Sequence, residues 1–70
     1  MTKEELKKGV VVCHRKYEMH YLVFSVNCRF KRDTDGQWVD GVLYKPLYDN
    51  EYELFMREME SFLEEFDLVE

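Results

Sequence analysis

The sequence has two cysteines, one proline and three glycines in 70 residues. Cys13 and Cys28 are too few for the disulfide framework that holds small secreted domains together, so reduced thiols and a cytoplasmic location are expected. No apolar run approaches the roughly 20 residues that a membrane span requires. The opening Met-Thr-Lys-Glu-Glu-Leu-Lys-Lys has no apolar stretch behind its charges, so it does not read as a signal peptide, and no membrane contact is expected. There is no repeat, linker or low-complexity tract, which leaves a single domain over residues 1–70. Phosphate loops, G-x-G-x-x-G, H-E-x-x-H and G-x-S-x-G are all missing, so neither an enzyme nor a cofactor is expected.

What the chain does have is aromatic weight and uneven charge. Five Phe, five Tyr and one Trp give a thin core more area per residue than aliphatic side chains would. A domain of this size buries only about 60% of its unfolded surface, so that area matters. The net charge is −5, but residues 1–48 hold nine Lys/Arg against six Asp/Glu, while residues 49–70 hold one Arg against nine Asp/Glu. A surface of one sign favours association with the opposite sign.

Local patterns predict a short helix, about four strands and a second helix. Thr2 and Glu5 have capping-box spacing, Lys7 and Lys8 suit a helix C-terminus, and Gly9 ends the predicted helix Thr2–Lys8. Val10–Cys13 is β-branched and reads as a strand. From Met19 to Phe30 the pattern has period two. Leu22, Phe24, Val26, Cys28 and Phe30 form a nearly apolar series expected to face the core, with Met19, Tyr21, Val23, Ser25 and Asn27 on the other side. Asp33-Thr34-Asp35-Gly36 is a turn signal. Trp38–Leu47 returns as a second long strand in which Trp38, Asp40, Val42 and Tyr44 share a face. Gly41 within it suggests a bulge or close backbone approach, and Pro46 an edge or strand end. Asp49-Asn50 reads as a turn and Tyr52–Met56 as a short strand. Met59, Phe62, Leu63 and Phe66 lie on one face of an amphipathic acidic C-terminal helix. The fold class expected is α+β: a small antiparallel sheet, partly rolled or closed into a barrel.

Val42-Leu43-Tyr44-Lys45-Pro46-Leu47-Tyr48-Asp49 resembles the "VVYRALYGD" segment of a small bacterial and phage domain family of unknown function. Phe55-Met56-Arg57-Glu58-Met59-Glu60-Ser61-Phe62 is similar to that family's "WVRPLEMF" segment. Lys8-Gly9, His14-Arg15-Lys16 and Tyr21 stand roughly where the family has its Gly, its "HYKG" and a following Tyr. The resemblance covers about residues 8–66. It implies an SH3-like β-barrel and brings no activity with it.

Three sets of residues are candidates for function. Glu58, Glu60, Glu64, Glu65 and Asp67 form an acidic surface suited to a protein partner with a basic surface. This gives the leading reading, a non-enzymatic interaction module; a phage or mobile-element protein acting on a host factor is one form of it. Tyr21, Trp38, Tyr44 and Arg57 are candidates for a pocket that takes a nucleotide or small acid, at a homo-oligomer interface in one version, because Arg suits bidentate recognition of phosphate or carboxylate. Arg29, Lys31 and Arg32, joined by Arg15, Lys16 and Lys45 and interleaved with Tyr17, Tyr21 and Trp38, carry a weaker reading as a single-stranded nucleic-acid patch. Cys13, His14, His20 and Cys28 match zinc in number but not in spacing, and no metal is expected. Adjacent residues on a strand point to opposite faces, so Cys13 and His14 cannot form a nucleophile–base pair.

Overall fold

The computed structural model describes residues 1–48 and 54–69. Five strands and one short helix follow in the order β1 (Val11–His14), β2 (His20–Lys31), β3 (Trp38–Pro46), β4 (Phe55–Glu58), α1 (Met59–Glu65) and β5 (Phe66–Leu68). The strands form one antiparallel sheet of order β4-β3-β2-β1-β5. The sheet is open, not a closed barrel: β4 and β5 are its two edges. α1 carries the chain from one edge to the other across a single face. The turn expected at Asp49-Asn50 and the start of the strand expected at Tyr52 lie outside the described residues.

The N-terminal helix is not formed. Residues 3–5 make a turn, with the amides of Glu5 and Leu6 donating to the carbonyls of Thr2 and Lys3. Half of the capping box is present, since the Thr2 amide donates to Glu5 Oε1 at 2.9 Å. A segment this short does not repay helix nucleation. It is held by anchorage instead: Leu6 is buried, and the Met1 ammonium donates to the carbonyl of Leu63 at 3.1 Å.

The two faces of β2 are exchanged relative to the sequence pattern. Tyr21 and Val23 pair with Pro46 and Tyr44, and with Val42 they face the core. The register then slips twice, between Val23 and Ser25 and between Ser25 and Cys28. Phe24 is the extra residue between the pairs Val23–Tyr44 and Ser25–Leu43, and Val26 and Asn27 stand against the single Val42 between Ser25–Leu43 and Cys28–Gly41. Each extra residue flips the alternation. Val26 therefore packs against the core, while Leu22, Phe24, Cys28 and Phe30 lie on the far face. Four of the five residues read as the core series are on the outside of the fold.

Gly41 shows why the far face tolerates this. A Cβ on Gly41 would stand 2.9 Å from a Phe30 ring carbon and 3.4 Å from Cys28 Sγ. The close approach expected there is a ring lying over bare backbone. Pro46 ends β3, an interior strand, so it marks a strand end and not an edge. At the tip of the β2–β3 hairpin Gly36 has φ +71°, a backbone conformation that glycine adopts without strain, and its amide donates to the Arg32 carbonyl at 2.8 Å.

The core lies between α1 and the near face of the sheet. Leu6, Val12, Val23, Val42, Tyr44, Phe62 and Phe66 are buried there, with Met59 and Leu63 packed against them. Phe62 and Phe66 stack at 4.1 Å between ring centres, nearly parallel. Phe66 keeps the buried position that the helical spacing gave it, but the helix has ended. Its backbone is extended (φ −121°, ψ 148°), and it opens β5, which pairs with β1. The missing edge partner of β1 is supplied by β5, of which the sequence pattern assigned Phe66 and Asp67 to the helix.

Candidate functional site

The five acidic candidates do not form one free helix face. Glu58 ends β4 and accepts from Arg32 Nη1 at 2.7 Å. Glu65 pairs with Arg57, and Asp67, in β5, accepts from Arg15 Nε at 2.9 Å. The Arg15 guanidinium lowers the pKa of Asp67. Glu60 and Glu64 are exposed, and among the described residues they have no ion-pair partner.

Three residues of the pocket candidate do come together. Tyr21 and Tyr44 face each other edge-on at 5.3 Å, and Phe55 and Phe66 complete an aromatic box around them. Arg57, directly opposite Val42 on β4, closes one wall. Its Nε donates to the Tyr44 hydroxyl at 3.3 Å, its Nη1 to Ser61 Oγ and Glu65, and its guanidinium lies 5.4 Å from the Phe66 ring centre. Burial works against the charge of Arg57, but the Tyr44 hydroxyl and Glu65 outweigh it and raise its pKa. Burial raises the pKa of Tyr21. Nε and Nη1 of the guanidinium are occupied by its own chain. Trp38 stands six residues along β3 from Tyr44, about 20 Å at strand spacing, so the four candidates do not share a pocket.

His14 joins this cluster, a role that its sequence neighbours do not signal. It is buried beside Phe66 and Tyr17, with ring centres 4.8 and 4.9 Å away. The Lys16 amide donates to His14 Nδ1 at 3.2 Å, so in the neutral ring the proton sits on Nε2, 3.6 Å from Glu65 Oε2. Cys13 faces the other side, opposite His20, as strand alternation requires. Cys28 lies on the far face and not in the core. Among the described residues no group of three His, Cys, Asp or Glu is placed to hold a metal ion.

The basic candidates divide between the two ends of the sheet. Arg29, Lys31, Arg32 and Trp38 belong to the β2–β3 hairpin, and Arg15 and Lys16 to the β1–β2 turn. Arg32 is clamped by Asp35 and Glu58, and both contacts raise its pKa. Arg29 is 3.9 Å from Asp40. Trp38 is opposite Lys31 and 61% exposed.

The sequence pattern gave no sign of a groove beside the β1–β2 turn. Glu18, Met19, His20, Pro46 and Tyr48 enclose a volume of about 490 Å³, with Tyr48 81% exposed. A second groove, of about 550 Å³, runs between the N-terminal turn, the hairpin and α1, and is lined by charged residues that include Lys3, Arg32, Asp40, Glu58 and Glu60. No described helix is long and apolar enough to cross a membrane. No family model, curated protein or solved structure matches the chain.

Proposed function

We propose that this chain is a non-enzymatic interaction module that binds a protein partner at the end of the sheet formed by the β1–β2 turn and the end of β3. The observation that carries this reading is the exposure of Met19 and Tyr48 around the 490 Å³ groove, with Tyr17 exposed in the neighbouring turn. Aromatic and methionine side chains standing in water beside a shallow groove are what protein interfaces use as anchors. Glu60 and Glu64, which have no ion-pair partner among the described residues, favour a partner with a basic surface, whose approach they would steer. The resemblance of the sequence to a small bacterial and phage domain family points to a mobile-element ancestry for this reading. A mobile-element protein acting on a host factor fits that ancestry.

The test is capture from native lysate at physiological salt, wild type against Met19→Ala/Tyr48→Ala. One partner held in stoichiometric amount by wild type, and retained at least tenfold less by the double variant, is the expected result. Equal retention by both proteins removes this end of the sheet from the reading. A second reading, single-stranded nucleic acid on the hairpin, rests on exposed Trp38 opposite Lys31. Binding that weakens steeply with salt and is lost in Trp38→Ala would favour it.

A further inference from the structure

The far face of the sheet is apolar and has nothing packed on it among the described residues. Leu22, Phe24, Cys28 and Phe30 from β2, Leu43 from β3 and Met56 from β4 lie on it by register. Phe24 is 48% and Met56 50% exposed. An antiparallel sheet with one solvated face ordinarily alternates apolar with polar residues. Here the outward positions are as apolar as the inward ones, and the one helix lies on the opposite face.

We propose that a second copy of this chain covers this face, so that the protein is a homodimer of two sheets packed back to back. Charge placement favours a second copy. Each chain carries −5, yet Glu60, Glu64 and Glu65 sit on α1 across the sheet from the apolar face. Face-to-face docking therefore leaves the helices outermost and the like charges about two sheet thicknesses apart, beyond effective range in physiological salt. By register the face also carries Ser25, opposite Leu43, and the charged side chains Lys45, Glu58 and Asp67, which stand towards its margins. The first four strands offer a footprint of about 460 Å² at normal strand spacing, more than half of the roughly 800 Å² per partner of a standard interface. The accessible surface of the lone chain is 5214 Å², above the roughly 4,700 Å² expected of a compact protein of its mass. Two sheets meeting this way form a sandwich with its own core, about 10 Å thick.

This inference is independent of the proposed partner site, which lies at the end of the sheet and not on this face. Sedimentation equilibrium of the full chain from 1 to 200 µM is expected to show the mass double. Leu43→Glu, which puts an unpaired charge at the centre of the face, should weaken the dimer at least 100-fold, with its far-UV spectrum unchanged. Should that variant fail to fold, the wild type alone decides: alkylation of Cys28, read by mass spectrometry, should slow at least tenfold between dilute and concentrated protein. A chain that is monomeric at every concentration overturns the proposal. So does a dimer whose Cys28 reacts at the same rate throughout, because the interface then lies elsewhere.

Discussion

The two faces of the sheet carry nearly the same kind of side chain and differ in what lies over them. On the near face Tyr21, Val23, Val26, Val42 and Tyr44 meet Phe62 and Phe66 from the α1–β5 crossover, and aromatic rings interlock at 4–6 Å. On the far face Leu22, Phe24, Cys28, Phe30 and Leu43 have no described helix over them, and most of them are half-buried. Apolarity by itself does not define a core. A covering element does, and among the described residues there is one helix with which to cover two faces.

The strongest way to break this comparison is to empty the near face. Phe62→Ala removes a fully buried ring that stacks on Phe66. A loss of about 3–5 kcal/mol is expected, comparable to the whole stability of a domain this small, so urea denaturation should find it largely unfolded. Gly41→Ala probes the seam between the faces. The added methyl would meet the Phe30 ring at 2.9 Å, and a loss of about 1–3 kcal/mol is expected. Phe30→Leu in the same background should recover part of it, and no recovery would mean that the ring is not what occupies the space. Phe24→Ser on the far face should change monomer stability by only about 0.5 kcal/mol, measured at a concentration low enough to avoid association. A loss as large as that of Phe62→Ala would mean that the far face is a core after all.

The smallest effect concerns the hairpin, away from either apolar layer. The Arg32 guanidinium, with the Gln37 amide, holds the Asp35 carboxyl at about 2, below its ordinary 3.8. A depressed carboxylate stabilises the fold fully above its unfolded pKa, and that contribution is lost as pH falls from about 4 towards 2. Asp35→Asn should therefore flatten the thermal midpoint over this range, where wild type declines. Because the pair is solvent-exposed, the difference will be small, and 0.5 M salt should shrink it further. If the two proteins decline in parallel, Asp67 and other carboxylates dominate the acid response.

Much of the fold was legible in the sequence. The strand expected at Met19–Phe30 is found at His20–Lys31, and that at Trp38–Leu47 at Trp38–Pro46. The Asp33–Gly36 turn and the apolar stripe Met59, Phe62, Leu63 also stand where expected. The faces of β2 were not legible. Period two across twelve residues assumes an unbroken ladder, and two bulges, set by the pairing with β3, shift it twice. The candidate sites were less legible still. Glu58, Glu65 and Asp67 look like a free acidic surface until their arginines, 26, 8 and 52 residues away in the chain, are brought beside them.

The sequence by itself determined where the chain is extended, where it turns and which side chains are apolar, because these follow from steric preference and spacing among near neighbours. Tertiary structure decided which apolar face is covered, where α1 gives way to β5, and which charges are already paired. Each of these depends on a partner distant in the chain: β1 draws Phe66–Leu68 into the sheet as an edge strand, and Phe30 lies across the bare backbone of Gly41.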